Sequence, residues 1–229
     1  MRDILVKILV RLGFYKPVIE AMNRIKFMVQ ARRMKRDGLE MLAAADKTLS
    51  AMGVRAFISF GTLLGAYREH GFISYDPDID LGVLDTEIPK DLYKRMEEGG
   101  FRLIRRNYIG STGRVIEETY QYRKLHLDIF IYYREGDDLY CDVQQKHETK
   151  EWKEANNSNG FPCERCYVPY CDFERRDFLG LSIYMPVDTD GWLRAMYSDS
   201  YITPIKNWEP HESKTRRVMI EERSYRQYF

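Results

Sequence analysis

The sequence contains no run of about 18 uncharged apolar residues, so no membrane-spanning helix is expected. Its first apolar stretch, Ile4 to Phe14, is broken by Lys7 and Arg11 and is followed by no small-residue cleavage site. No secretory signal is therefore expected, and a cytoplasmic chain is. With only four cysteines in 229 residues, a disulfide framework is not expected in that compartment. Histidines are equally few, and His70, His147 and His211 show no metal-ligand spacing. There is no internal repeat and no low-complexity tract. Basic and aromatic residues are not interleaved in the manner of nucleic-acid readers, so no nucleic-acid partner is expected. Net charge is almost lacking too, at a formal +1.

The near-neutral total hides an asymmetry. Residues 1–36 hold ten Lys or Arg against Asp3 and Glu20, a net +8, which leaves −7 for the remainder. Ile4, Leu5, Ile8, Leu9 and Leu12 have helical spacing with Lys7 and Arg11 off the stripe. Pro17 opens a second helix with Val18, Met22, Ile25 and Val29 on its apolar face. A third helix is predicted from Asp37 to Met52, stopped by Gly53. The chain thus divides into a basic amphipathic arm, 1–36, and a body, 37–229. The arm either lies on an anionic membrane surface or docks on its own body with its basic face in water.

The chain as a whole carries 44% hydrophobic and 14% aromatic residues, enough for a real core. Strands are predicted at Arg55–Phe60, Ile79–Leu84, Phe101–Tyr108, Val115–Arg123, Leu125–Tyr133 and Leu139–Val143, and a hairpin around Gly180 over Phe173–Met185. Short helices are predicted after Gly61, over Pro89–Glu98, and over Asp188–Tyr197 with an aspartate cap. Strands alternating with helices, with some strands consecutive, argue an α/β or α+β fold with a mixed sheet.

Asp78 and Asp80 open an apolar strand two residues apart, so both carboxylates share one face while Ile79 and Leu81 face the core. Like charges that close repel unless a divalent cation sits between them. Mg²⁺ is the natural choice, with Mn²⁺ as the alternative, because it takes carboxylates together with substrate phosphates. Asp128 sits in the otherwise apolar strand Leu125–Ile131, where a lone ionised carboxylate would be costly. The three acids suit a metal-assisted phosphoryl-transfer site. Upstream, Gly61 and Thr62 offer backbone N–H groups and a hydroxyl to a phosphate, and Arg68 offers it positive charge. An acidic turn without a function is the plainer alternative for Asp76–Asp80.

Cys163-x₂-Cys166-x₄-Cys171 with Cys141 upstream is read as a loop knuckle with two alternatives, a structural tetrahedral zinc site or ordinary buried thiols.

The stretch Gly61-Thr-Leu-Leu-Gly-Ala-Tyr-Arg68, followed by Gly71-Phe-Ile-Ser-Tyr-Asp-Pro-Asp-Ile-Asp80, resembles the signature of the LicD/fukutin-related family. Ser74, Tyr75 and Pro77 depart from its usual form, in which Pro, Trp and Asp are common. Pro77 removes one acid, while Asp78 and Asp80 are kept. The resemblance runs from about Leu39 to Trp208, with later landmarks at Phe178–Pro186 and Tyr197–Pro204. It implies a nucleotidyltransferase-like mixed sheet flanked by helices. It also implies transfer of a phospho-alcohol, phosphocholine- or phosphoribitol-like, from a CDP-activated donor to a hydroxyl of a glycan or glycolipid. By the same resemblance Asp78, Asp80 and Asp128 are the metal-binding and catalytic carboxylates, and Gly61, Thr62 and Arg68 line the nucleotide-phosphate site. Two rivals stay open: attachment of a nucleoside monophosphate to a small molecule or protein, and a non-catalytic scaffold held on a membrane by the arm.

Overall fold

The computed structural model describes residues 15–146, 152–204 and 216–229. The stripe expected at residues 4–12 lies outside the described residues, as do His147, Trp208 and His211.

The second and third expected helices are one. Helix α1 runs Tyr15–Ser50 without a break and ends before Gly53, whose φ of +77° suits a residue without a side chain. Its C-terminal half packs on the sheet through Ala31, Met34, Met41, Leu42, Ala45 and Leu49, all buried. These recur at helical spacing and so form one line along the helix. Arg123 grips Glu40 and Arg175 grips Asp46, each through two nitrogens. The N-terminal half is different. Met22, Ile25, Met28 and Val29 are exposed. At 100° per residue, Val18, Met22, Ile25 and Val29 form a stripe about 180° from the buried line. Arg32 and Arg36, both exposed, continue that stripe.

Strand β1 (Phe57–Ile58) leads into helix α2 (Phe60–Arg68), and strand β2 (Asp78–Leu84) follows. Helix α3 (Leu92–Glu98) precedes four strands, β3 (Arg102–Ile109), β4 (Val115–Tyr122), β5 (Leu125–Glu135) and β6 (Asp138–Gln144). Then come helix α4 (Trp152–Asn157), β7 (Phe161–Pro169), β8 (Phe173–Phe178), β9 (Leu181–Pro186), helix α5 (Thr189–Tyr197) and β10 (Arg217–Tyr228). The expected aspartate cap is present, since Asp188 Oδ1 accepts from the Gly191 N–H at 3.0 Å. The hairpin turn is made by Leu179 and Gly180, both at positive φ.

All ten strands form one mixed sheet in the order β4-β3-β10-β7-β6-β5-β2-β1-β9-β8. The β2–β5 and β1–β9 pairs are parallel and the rest antiparallel. Strand β5 is long enough to serve two neighbours in succession. Its residues 125–130 pair with β4, and residues 132–135 pair with β6. Strands β3, β4, β5, β6, β7 and β10 therefore close into a ring, and β2, β1, β9 and β8 extend from it as a wing. The main core lies where α1, α2 and α5 meet the sheet, around Phe57, Tyr132, Phe173 and Trp192.

The cysteine reading is corrected here. Phe161–Pro169 is strand β7 and not a loop, and residues three apart on a strand face opposite ways. Cys166 joins the main core beside Cys141, its cross-strand partner, whereas Cys163 packs with Ile109 and Ile116 in a separate cluster. Cys171 is half-buried beyond the strand. Among the described residues the sulfurs do not gather at one centre, and burial pushes the Cys163 thiol up to about 12. The buried-thiol alternative is the one the fold adopts.

Candidate phosphoryl-transfer site

Asp78 and Asp80 sit on β2, and the parallel register places Asp80 beside Asp128 and Asp78 beside His126 on β5. The strand alternation expected from sequence is therefore realised, and the three acids meet on one face. The start of α2 is stitched to the same point. Ser59 N–H donates to the Asp80 carbonyl at 3.0 Å, Asp80 N–H donates to Thr62 Oγ1 at 2.9 Å, and Gly61 N–H donates to Asp80 Oδ2 at 3.0 Å. The Gly-Thr pair thus has a local reason. Thr62, buried, replaces a missing ladder partner for β2. Gly61 brings its backbone against the acids, and a β-carbon there would overlap Asp76 Oδ2.

Asp76, which sequence left as a turn residue, is a fourth member. It accepts a hydrogen bond from Asp78, and its charge is felt at Asp80. Glu117 on β4 is a fifth, facing both Asp78 and Asp128. Burial, then the neighbouring carboxylates Asp76 and Glu117, push Asp78 up to about 8. Burial and Glu117 push Asp128 up to about 8 as well. Asp80 is raised further by burial and by Asp78, Asp76 and Asp128, and Asp76 is raised chiefly by burial. Tyr197 of α5 lies close enough that Asp80, after burial, raises its phenol.

Among the described residues, one cation faces these acids. Arg105 on β3 pairs with Glu117 and lies 3.7 Å from Asp128 Oδ1. Arg68 does not join them. Its guanidinium donates to Glu69 at 2.7 Å and reaches the Tyr201 carbonyl at 3.4 Å. No sequence pattern marks Arg105 or Glu117, because they reach the site only through the pairing of β3, β4 and β5.

Five carboxylates against one guanidinium suit a hard divalent cation. The buried Asp128 Oδ1 has no hydrogen-bond partner, as expected of an oxygen kept for a ligand. Among the described residues, no three His, Cys, Asp or Glu side chains form a ready-made chelate. Mg²⁺ does not require one, since it fills its octahedron largely with water and substrate phosphate.

The fold is thus a mixed sheet flanked by helices, with paired acids opening one strand and a third on its parallel neighbour. The chain belongs to the LicD/FKTN/FKRP family, whose nucleotidyltransferase-domain model matches residues 53–188. It is 30% identical over 189 residues to a mouse protein, ribitol-5-phosphate transferase FKTN, covering 82% of this chain and 37% of the relative. The human protein of that name is 27% identical over 183 residues, covering 79% and 36%. An uncharacterised protein of Rickettsia typhi is 24% identical over 162 residues, covering 70% of this chain and 45% of its own length. The match therefore spans 36% to 45% of the length of these curated relatives.

Proposed function

We propose that the protein is a Mg²⁺-dependent transferase that moves a phospho-alcohol, phosphoribitol- or phosphocholine-like, from a CDP-activated donor to a hydroxyl of a cell-surface glycan or glycolipid precursor. The observation that carries this is the meeting of Asp78, Asp80 and Asp128 on one face in a chain of the LicD/FKTN/FKRP family. The relatives named as ribitol-5-phosphate transferases favour phosphoribitol as the group moved.

Asp78, Asp80 and Asp128 would hold the cation, which would supply positive charge to the transferring phosphoryl group. The chain's own residues do the rest. Gly61 and Thr62 fix Asp80 by backbone and side chain, so that carboxylate does not have to be ordered when substrate arrives. Asp128 is also placed to take the proton of the attacking hydroxyl, through the oxygen that the cation leaves free. The half-buried setting of the cluster limits the water that would compete with that hydroxyl.

A lipid-linked acceptor would be met at the cytoplasmic face of an anionic membrane. The support is the exposed apolar stripe of α1, which faces away from the body and is continued by Arg32 and Arg36.

The deciding assay offers CDP-ribitol, CDP-choline and nucleoside triphosphates with Mg²⁺. CMP release from a CDP-alcohol is the expected result. Pyrophosphate release from a triphosphate, with no CMP, would replace this reading by nucleoside-monophosphate transfer.

A further inference from the structure

Cross-strand register sets Asp80, Asp128, Thr119, Arg105 and Tyr228 in one row across β2, β5, β4, β3 and β10. Arg105 is the only cation in that row. We propose that Arg105 is a phosphate-binding residue of this site, neutralising Asp128 while the carboxylates are bare and passing to the distal phosphate of the bound donor once a divalent cation takes Asp128. The proposal rests on the phosphoryl-transfer reading above and adds to it a residue that no motif marks.

Three features of the geometry carry it. First, Arg105 is anchored on one side only. Its Nη2 is paired with Glu117, and Glu117 is held in turn by Asn107 Nδ2 at 2.7 Å and by the Thr119 hydroxyl at 3.4 Å. Toward Asp128 the approach stops at 3.7 Å, too long for a hydrogen bond, and Asp128 Oδ1 has no other partner. Second, Arg105 Nε is buried without an acceptor. A guanidinium donor is costly to leave unmet, and such a group is tolerated where a ligand completes it. Third, the planar fork matches phosphate oxygens, and Glu117 already fixes its orientation.

The motif's own arginine is poorly placed for this task. Arg68 also has an unpartnered Nε, but it lies seven residues along α2 from Gly61, about 10 Å by helix rise. Its neighbours are Glu69 and the Tyr201 carbonyl rather than any acid of the cluster.

The test compares wild type with Arg105→Gln by calorimetry, titrating Mg²⁺ alone and then CDP, CMP and pyrophosphate with Mg²⁺ present. Losing a charged donor to phosphate should weaken CDP and pyrophosphate about tenfold or more. CMP, which lacks the distal phosphate, should change less than about twofold by the same reasoning. Removing a competing cation should make Mg²⁺ alone bind more tightly, which loss of structure would not do. CDP and pyrophosphate affinities within twofold of wild type would overturn the proposal, as would a common weakening of all four ligands. A drop for CMP equal to that for CDP would place Arg105 on the proximal phosphate and overturn its stated role. Should Arg105→Gln not fold, Arg105→Gln with Glu117→Gln replaces the buried ion pair by two neutral amides. The CDP-against-CMP comparison is then read on that protein with the same expectations. A wild type that binds pyrophosphate but not CDP would sink the cytidine donor, leaving Arg105 to be judged on pyrophosphate.

Discussion

Asp76 stands beside Pro77 and is the carboxylate that the cluster keeps next to the lost acid. Its carboxylate accepts from Asp78 and lies against Gly61. Asp78 and Asp80 were legible because strand alternation and a long motif both mark them. Glu117 and Arg105 were not, since a glutamate and an arginine on neighbouring strands look like ordinary solvated charges until register brings them to Asp128. The raised carboxylates make folding stability depend on pH. Asp78 and Asp128 go from an ordinary 3.8 to about 8 in the folded protein. Between those values the folded state holds protons that the unfolded state has released, so metal-free stability should fall as pH rises from about 4 to about 8. Saturating Mg²⁺ should then raise the melting temperature by about 5 °C or more at pH 8 and by less than half that at pH 5.5. Differential scanning fluorimetry at the two pH values checks this, and an equal shift at both would count against cation binding by these acids. In Asp78→Asn the metal-free slope should flatten, and turnover should drop by at least about a hundredfold. Gly61→Ala would push a methyl group into Asp76. It should cost about tenfold or more in turnover while stability falls by no more than about 2 kcal/mol, because the carboxylate can swing aside. A Gly61→Ala enzyme with normal turnover would show that the Asp76 position does not matter.

At the scale of elements, what sequence predicted well had one clean pattern, and what it missed had two. Strands β2 and β5 are apolar with a few acids, and α5 has its aspartate cap. Strand β7 was read as a cysteine knuckle because Glu164 and Arg165 interrupt it. In the fold these residues pair with Arg217 and Asp142 on neighbouring strands. Strand β10 lacks apolar alternation for the same reason, as Arg217 meets Glu164 and Arg226 meets Gln144. Charges that are satisfied across a ladder cannot be told from charges facing water in a single sequence. Helix α1 carries two unlike patterns in tandem, which is why it was divided in two. Its exposed stripe makes a prediction of its own. Ile25→Glu with Val29→Glu alters residues that are 56% and 38% exposed, so folding stability should change by about 0.5 kcal/mol or less per site. Co-sedimentation with anionic vesicles should fall about tenfold, since two apolar anchors are lost and two repelled charges gained. Unchanged vesicle binding together with unchanged stability would remove the membrane from the proposal.

The molecule as a whole depends on a strand drawn from the far end of the described chain. Strand β10 lies between β3 and β7 and is the only described link between them, so the ring does not close without it. Deleting residues 217–229 should abolish the cooperative thermal transition seen by circular dichroism. A truncated protein that still melts cooperatively within a few degrees of the full chain would mean that the ring is dispensable. The alternation of helices and strands announced a mixed sheet, but ring closure was invisible. It depends on β5 changing partners near residue 131, a choice made by its length and not by its composition. The placement of β10 also bears on how the protein is made. Synthesis runs from the N- to the C-terminal side, so β3 and β7 emerge with open edges before their shared neighbour β10. Arg105 can pair with Glu117 inside the β3–β4 ladder, but it meets Tyr228 only when β10 arrives. A nascent chain would hold its acids on β2 and β5 without the strand that completes them. It would gain competence in a single late step, when residue 228 is free to join the sheet.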